Sequence, residues 1–494
     1  MSFRNETGAN SLPPSCLREI INISKGDLKT LHSCMFVNRQ WCEIAVEIFW
    51  RNLWSYRYHV GFLDGAHYFW KVVLRTLISC LPNESKDFLN ANGVTIPWSS
   101  YNRSPLYDYP SYCNSLDCFA VSNMIESALW EALQNDRPRR FLYIQHLMEQ
   151  EICKLFISRC GTISNVTLDY IPIPYFPGAG TCFSQLSVLY CHTAVPEMLF
   201  YAMAQICKSI QKMFIEFYED DNLGLSALVD VQQHLSYLRC KGDEIADIQS
   251  FPAIIDVIRT NSYSFVHLDI VHFLCIQPAI ISTMLNLKTL KIRLDKMPHS
   301  DVWEELASVR LPKLETLQIT LDSLRLESLQ PLIANNSGML STLILDFKPK
   351  VNRSATFNET IAQFCPNLKF LVTWFLNEEF DVLEELFSKC QNLERLMLQG
   401  TNGSTLDGVR LFRLMSQVTT LKLMALGLKG GWSFSKEGLK TFFEGWKSKG
   451  NVITLFFDEK ARLRADFIEL IEKYFKKGVV KKYKVAPFRW NEFC

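Results

Sequence analysis

The chain has 494 residues, 48% of them hydrophobic, and its 52 Lys and Arg offset 51 Asp and Glu. That length exceeds one compact core and implies two or more units, or a repeat array. The near-zero net charge argues against a general binder of nucleic acid or of anionic membrane, which would need an excess of Lys and Arg.

The first residues, 1–11, are polar, lack an apolar signal-peptide core and read as a disordered arm. Residues 12–54 read as three short helices. Leu12 and Pro13 open the first, where Pro14 is tolerated because its missing N–H has no intrahelical partner there. Leu17, Ile20 and Ile21 then make an apolar stripe. Lys25-Gly26-Asp27 is a turn, with Asp27 placed to cap a second helix. That helix carries Leu28, Leu31, Cys34 and Met35, and a third segment carries Trp41, Ile44, Ala45, Ile48, Phe49 and Trp50. One reading is a small bundle that packs its own side chains. The other notes too many large apolar groups for about 43 residues to bury without a closed core, so that some meet a partner or the next domain.

These residues resemble an F-box: Leu12-Pro13, Leu17, Ile20, Asp27-Leu28, Leu31, Val37-Asn38-Arg39, Trp41 and Phe49-Trp50-Arg51 follow the motif in register. The pieces Val37-Asn38-Arg39 with Trp41-Cys42, and Phe49-Trp50-Arg51-Asn52 with Trp54, are similar to F-box families expanded in fungi. Asn22-Ile23-Ser24 departs from the motif's aromatic-Tyr-Leu and shortens the end of the first helix. The resemblance implies docking onto the Skp-type adaptor of a cullin-RING ubiquitin ligase. The implied contacts are Leu12, Pro13, Leu17, Ile20, Leu28 and Leu31, with Val37 and Trp41 helping.

Residues 55–160 read as a helical connector and N-terminal cap. A helix is expected over about 67–81, ended by Pro82, and another from Ser85. A loop rich in Pro, Ser, Tyr and Asn follows at 96–112, then helices near 118–134 and 144–158.

Residues 161–494 read as repeats with a C-terminal cap. The template is an apolar residue, two variable ones, an apolar residue, a variable one and an apolar residue. It is met by Ile163, Val166, Leu168; Phe183, Leu186, Val188; Ile210, Met213, Ile215; Leu235, Leu238, Cys240; Phe265, Leu268, Ile270; and Leu287, Leu290, Ile292. It continues through Leu314, Leu317, Ile319; Leu340, Leu343, Leu345; Leu368, Leu371, Thr373; Leu393, Leu396, Leu398; Val418, Leu421, Leu423; and Val452, Leu455, Phe457. The spacing averages roughly 26 residues, within the leucine-rich repeat range. The units before about 260 are less regular. Cys365-Pro366-Asn367-Leu368 and Cys390-Gln391-Asn392-Leu393 resemble the cysteine-containing repeats often found behind F-boxes. Tyr175–Leu186 and Asn222–Leu228 are similar to recurrent pieces of the same fungal family. The fold class expected is α/β: a three-helix F-box, then a leucine-rich-repeat horseshoe with parallel strands inside and helices outside. Near the end, Lys476-Lys477 and Lys481-Lys482 read as a charged cap that blunts the last sheet edge.

No P-loop, dinucleotide fingerprint, HExxH or GxSxG occurs. Gly178-Ala179-Gly180 lacks the third glycine and the setting of a cofactor loop and reads as a turn. The nine histidines are dispersed, and the sixteen cysteines form no CxxC pair. Reduced, buried thiols in a cytoplasmic or nuclear protein are the simplest account. The stretch at about 170–196, lightly charged but broken by Pro and Gly, is no membrane span. The expectation is a non-catalytic chain with no cofactor and no metal. It would be the substrate-recognition subunit of a Skp–cullin–F-box ligase, partnered by the adaptor, a cullin scaffold and a protein substrate the sequence does not name, with no nucleic acid and no membrane. The alternative is an interaction scaffold outside any ligase; copurification with cullin separates the two.

Side chains alternate along a strand, so the variable positions flanking each buried Leu face the inside of the array. Most are polar, such as Thr316, Gln318, Thr320, Lys291 and Arg293. Three neighbouring strands instead offer Ile344, then Phe370, Val372 and Trp374, then Met397, with Asp346, Arg395 and Gln399 at the margin. These form a candidate substrate-contact surface. Two alternatives stand beside it: the C-terminal Phe488, Trp490 and Phe493 fold back over the patch, or the register slips at Leu371–Thr373.

Overall fold

The computed structural model describes the chain apart from residues 1–11, 57–64, 95–104, 134–137, 219, 243–250, 273–275, 296–299, 325–328, 350–354, 401–404, 419–421, 462, 464 and 494. The arm expected at 1–11 lies outside the described residues. Two compact units are present: Met1–Phe214 with Asn222–Leu235, and Ile215–Asp221 with Ser236–Cys494.

The first unit opens with α1 (Pro14–Ile23), α2 (Leu28–Cys34) and α3 (Arg39–Arg51). The Asp27 carboxylate caps α2, accepting from the Lys29 and Thr30 amides at 3.0 and 3.2 Å, and Asn38 caps α3 through the Trp41 amide at 3.0 Å. Such caps satisfy amides that a helix start otherwise leaves without partners. Leu17, Ile21, Leu31, Cys34, Ile44, Ala45 and Ile48 form a core that closes with Tyr56 and, at its edge, Phe69. The Tyr56 hydroxyl donates to the Lys25 carbonyl at 2.7 Å, and burial pushes the phenol up to about 12. The three helices therefore have a closed core, but one completed from the segment that follows them.

That segment supplies α4 (Gly65–Cys80), α5 (Asn83–Ala91), α6 (Cys118–Leu133) and α7 (Pro138–Arg159). The Trp54 indole donates to the Ser115 carbonyl at 2.9 Å and meets Phe156 edge-on at 5.6 Å. The Cys113 thiol donates to the Trp50 carbonyl. Strand β1 (Ser115–Asp117) pairs in parallel with β2 (Asn165–Thr167), and β2 with β3 (Val188–His192). Cys113, Leu116 and Cys118 fill the three template positions around β1 and are all buried, so the strand pattern begins about fifty residues earlier than the sequence reading placed it. At β3 the buried trio is Leu186, Leu189 and Cys191, three residues beyond the expected one. Gly178, at φ +87°, opens the short α8 (Ala179–Cys182), as the turn reading anticipated. The unit also includes α9 (Glu197–Ile206) and α10 (Leu223–Asp230), which flank β4 (Lys212–Phe217) in the chain.

In the second unit, strand and helix alternate. The strands are β5 (Tyr237–Gly242), β6 (His267–His272), β7 (Thr289–Leu294), β8 (Thr316–Leu324), β9 (Thr342–Pro349), β10 (Phe370–Phe375), β11 (Arg395–Gly400), β12 (Thr405–Asp407), β13 (Ala425–Lys429), β14 (Gly431–Ser433), β15 (Ile453–Phe457) and β16 (Val480–Val485). From β5 to β16 each lies beside the next in parallel, except that β12 and β14 form a separate pair. A long all-parallel sheet with a helix between most successive strands is the pattern of a leucine-rich-repeat solenoid, in which neither face can be buried without its neighbours. Leu290, Leu317, Leu343, Leu371, Leu396 and Leu426 stand in one register row, all buried.

In the second unit one expected repeat is displaced, and in the last set Val452 is 45% exposed while Leu455 and Phe457 are buried. Of Val418, Leu421 and Leu423, Leu421 lies outside the described residues, and the strand forms at Ala425–Lys429 with Leu423, Leu426 and Leu428 buried. The charged segment expected as a cap forms the strand β16, paired in parallel with β15. Lys481 and Lys482 are exposed on β16 at the sheet's end, where charge deters further strand pairing. No helix among the described residues is long and apolar enough to cross a membrane.

Candidate protein-interaction surfaces

The residues expected to contact an adaptor divide into two sets. Leu17 and Leu31 are 1% and 0% exposed and belong to the core of the three helices. Leu28 and Trp41 are half-buried and pack against that core. Leu12, Pro13, Ile20 and Val37 are exposed. The split follows helix geometry: Leu17 and Ile21, four apart, face inward, while Ile20 and Ile23, three apart, face out. Leu17 and Leu31 are therefore corrected from contact residues to the support beneath them. Two residues are added. Ile23 is 85% exposed and Phe36 76%, and Phe36 lies against His32 with ring centroids 4.9 Å apart. Ile23, within the piece that departs from the motif, lies three residues from Ile20 and on the same face.

The candidate substrate patch is assembled but closed. Ile344, Phe370, Val372 and Met397 form a buried cluster with Ala425, Phe456 and Phe488, and Trp490 packs against it. Trp374 is 9% exposed. The register is as expected: Phe370 pairs with Arg395, Val372 with Met397 and Trp374 with Gln399. Thr373, which stands where the template wants an aliphatic residue, is buried and donates to Asn358 Oδ1 at 2.9 Å. The accessibility is not as expected. The chain after β16 returns over these strands, with the Ala486 amide bonded to the Phe457 carbonyl and the Phe488 ring 5.6 Å from Phe456. Arg395 covers the margin, its guanidinium 4.8 Å above the Phe370 ring. Gln399 donates to the Leu345 carbonyl at 2.8 Å, and Lys429 reaches Asp346 at 3.6 Å. The side chain of Phe493 lies outside the described residues.

The inward positions that stay accessible lie elsewhere. On β5 to β8 they are polar: Arg239, Lys241, Lys291, Arg293 and Thr320 are half-exposed around the buried Asp269 and Gln318. In the first unit Tyr190 stacks on Phe214 at 4.2 Å, and Tyr170 lies 5.5 Å from His192. A cavity of about 250 Å³ in that unit is lined by Gln145, His146, Glu149, Asp169 and Tyr170 among others. Burial pushes the Glu149 carboxyl upward, and Gln145 donates to it at 2.9 Å. No cluster of three or more metal-ligating side chains exists among the described residues. The described cysteines are unbridged and mostly buried. Burial pushes the Cys365 thiol up to about 12 and Cys390 to about 11, where neither is a thiolate nucleophile at neutral pH.

No protein-family model matches the chain, and no curated protein does. Among solved structures the chain is similar to the mouse RP105/MD-1 complex, at 11% identity over 66% of this chain and 76% of that one, with a TM-score of 0.28. At that score the likeness carries no argument. The repeat architecture stands on the parallel sheet itself and on the template residues buried along it.

Proposed function

We propose that this chain is a substrate-recognition subunit of a Skp–cullin–F-box type ubiquitin ligase. The helices at 12–54 dock the adaptor, and the inward face of the parallel strands receives the substrate protein. In this reading the chain positions its substrate, and the chemistry belongs to other subunits. The observation that carries the proposal is the exposure of Ile20 and Ile23 on α1, and of Leu12, Phe36 and Val37 at helix ends, around a core that is already filled. Apolar side chains gathered on so small a unit favour a protein partner. The motif in register at 12–54 supplies the identity of that partner.

The test is capture of adaptor and cullin by the full chain carrying Ile20→Asp with Val37→Asp. Both side chains are outside the core, so the variant keeps its circular dichroism spectrum. Interface anchors of this type cost about 2 kcal/mol or more each when lost, and adaptor capture should fall at least about thirtyfold. Full capture of both proteins by the folded double variant would overturn the proposal.

A further inference from the structure

The half of the inner face that the C-terminal tail leaves accessible has a definite chemistry. Strand β6 lies between β5 and β7, with Arg239 beside Asp269 and Asp269 beside Lys291 in one register row, and Lys241, Val271 and Arg293 in the next. Asp269 is 5% exposed and is engaged from both sides. Arg239 approaches at 3.6 Å and Arg293 at 2.8 and 3.0 Å. Its charge is thus used to fix two guanidiniums on the inner face. Lys241 is matched by Glu216 at 3.1 Å. Four cations therefore stand over two carboxylates, on strands about 5 Å apart.

Several donors in this group lack acceptors. Lys291 is half-exposed and makes no ion pair or hydrogen bond among the described residues. Arg293 Nε and the Thr320 hydroxyl, buried atoms on paired positions of β7 and β8, are also without hydrogen-bond partners among the described residues. Unpaired polar atoms are costly in the free chain; an acceptor at this face pairs Lys291 directly and reaches the two buried atoms only through a side-chain shift. An apolar ligand would add to that cost, and a basic one would be repelled.

We propose that the inner face of β5 to β8 docks an acidic segment of a partner protein. Asp or Glu carboxylates meet Lys291 and the accessible part of the Arg293 guanidinium there, beside the pair Arg239–Asp269. The proposal rests on the reading of the inner face as the substrate surface and names the class of substrate it takes. Charge complementarity of this kind sets partner choice and encounter rate.

The experiment selects peptides from a displayed random library on the immobilised full chain, then measures the selected peptide by fluorescence anisotropy. Enrichment in Asp and Glu is expected, with affinity that falls as salt rises. Lys291→Glu should weaken the selected peptide by about tenfold, the scale of one charge-assisted contact. Lys440→Glu makes the same charge change on an exposed position of the helix Lys436–Ser448 and should leave affinity within about twofold. Selection of basic or apolar peptides, an equal loss in both variants, or full competition by a single-stranded RNA would each overturn the proposal. Adaptor capture should be unchanged in Lys291→Glu, so a failure here is distinguishable from a failure of the ligase reading.

Discussion

Several single side chains act as fasteners between successive repeats. Asn336 is 4% exposed; its carboxamide donates to the Val309 and Leu332 carbonyls at 2.8 and 2.7 Å and accepts from the Leu311 amide. Gln232 does the same in the first unit, joining the Ile210 amide to the Cys207 and Leu228 carbonyls. A parallel array must turn from helix to strand in every repeat, and each turn leaves backbone groups the ladder cannot satisfy. A buried amide supplies both donor and acceptor in one side chain. Asn336→Ala removes all three bonds and leaves the turn's groups unpaired, and should cost about 2–4 kcal/mol. Urea unfolding followed by circular dichroism measures it. A loss under about 0.5 kcal/mol would mean that water replaces the amide at no cost. Asn336→Asp should be at least as damaging, since the carboxylate would face two carbonyl oxygens.

At the scale of elements, much was legible from apolar spacing. The template placed β2 and β4 to β11 in register, because each Leu or Ile it names fills one layer of the interior. It failed where two overlapping sets of apolar residues both fit, as with Phe183-Leu186-Val188 against Leu186-Leu189-Cys191. Local spacing cannot choose between such sets; the neighbouring strand does. The aromatic patch was legible as a surface of β9 to β11 but not as a covered one. Its cover, Phe488 and Trp490, lies about ninety residues or more away in sequence. Phe488→Ala with Trp490→Ala should therefore destabilise the second unit by about 3 kcal/mol or more and raise binding of an apolar dye such as ANS. A double variant with wild-type melting temperature and no added dye binding would show that the tail is not a structural cover.

At the scale of the whole chain, the two units should respond differently to loss of the N-terminal helices. Were residues 12–54 an appendage, their removal would leave the remainder folded. The packing argues otherwise for the first unit. Removing α1 to α3 strips Tyr56 of the Lys25 carbonyl and of its apolar neighbours, and Cys113 of the Trp50 carbonyl. It also takes away Trp54, which joins Ser115 and Phe156. Several large buried contacts vanish at once, each of a class worth about 2–5 kcal/mol, against a total domain stability of only about 5–15 kcal/mol. The second unit loses none of the pairings from β5 to β16. Limited proteolysis of a chain lacking residues 12–54 should therefore cut rapidly between about 55 and 210 while a fragment containing β5 to β16 persists. An equally resistant first unit would mean that its strands and α4 to α7 are self-sufficient. It would also make the deletion a clean test of adaptor binding beside the surface variants at Ile20 and Val37.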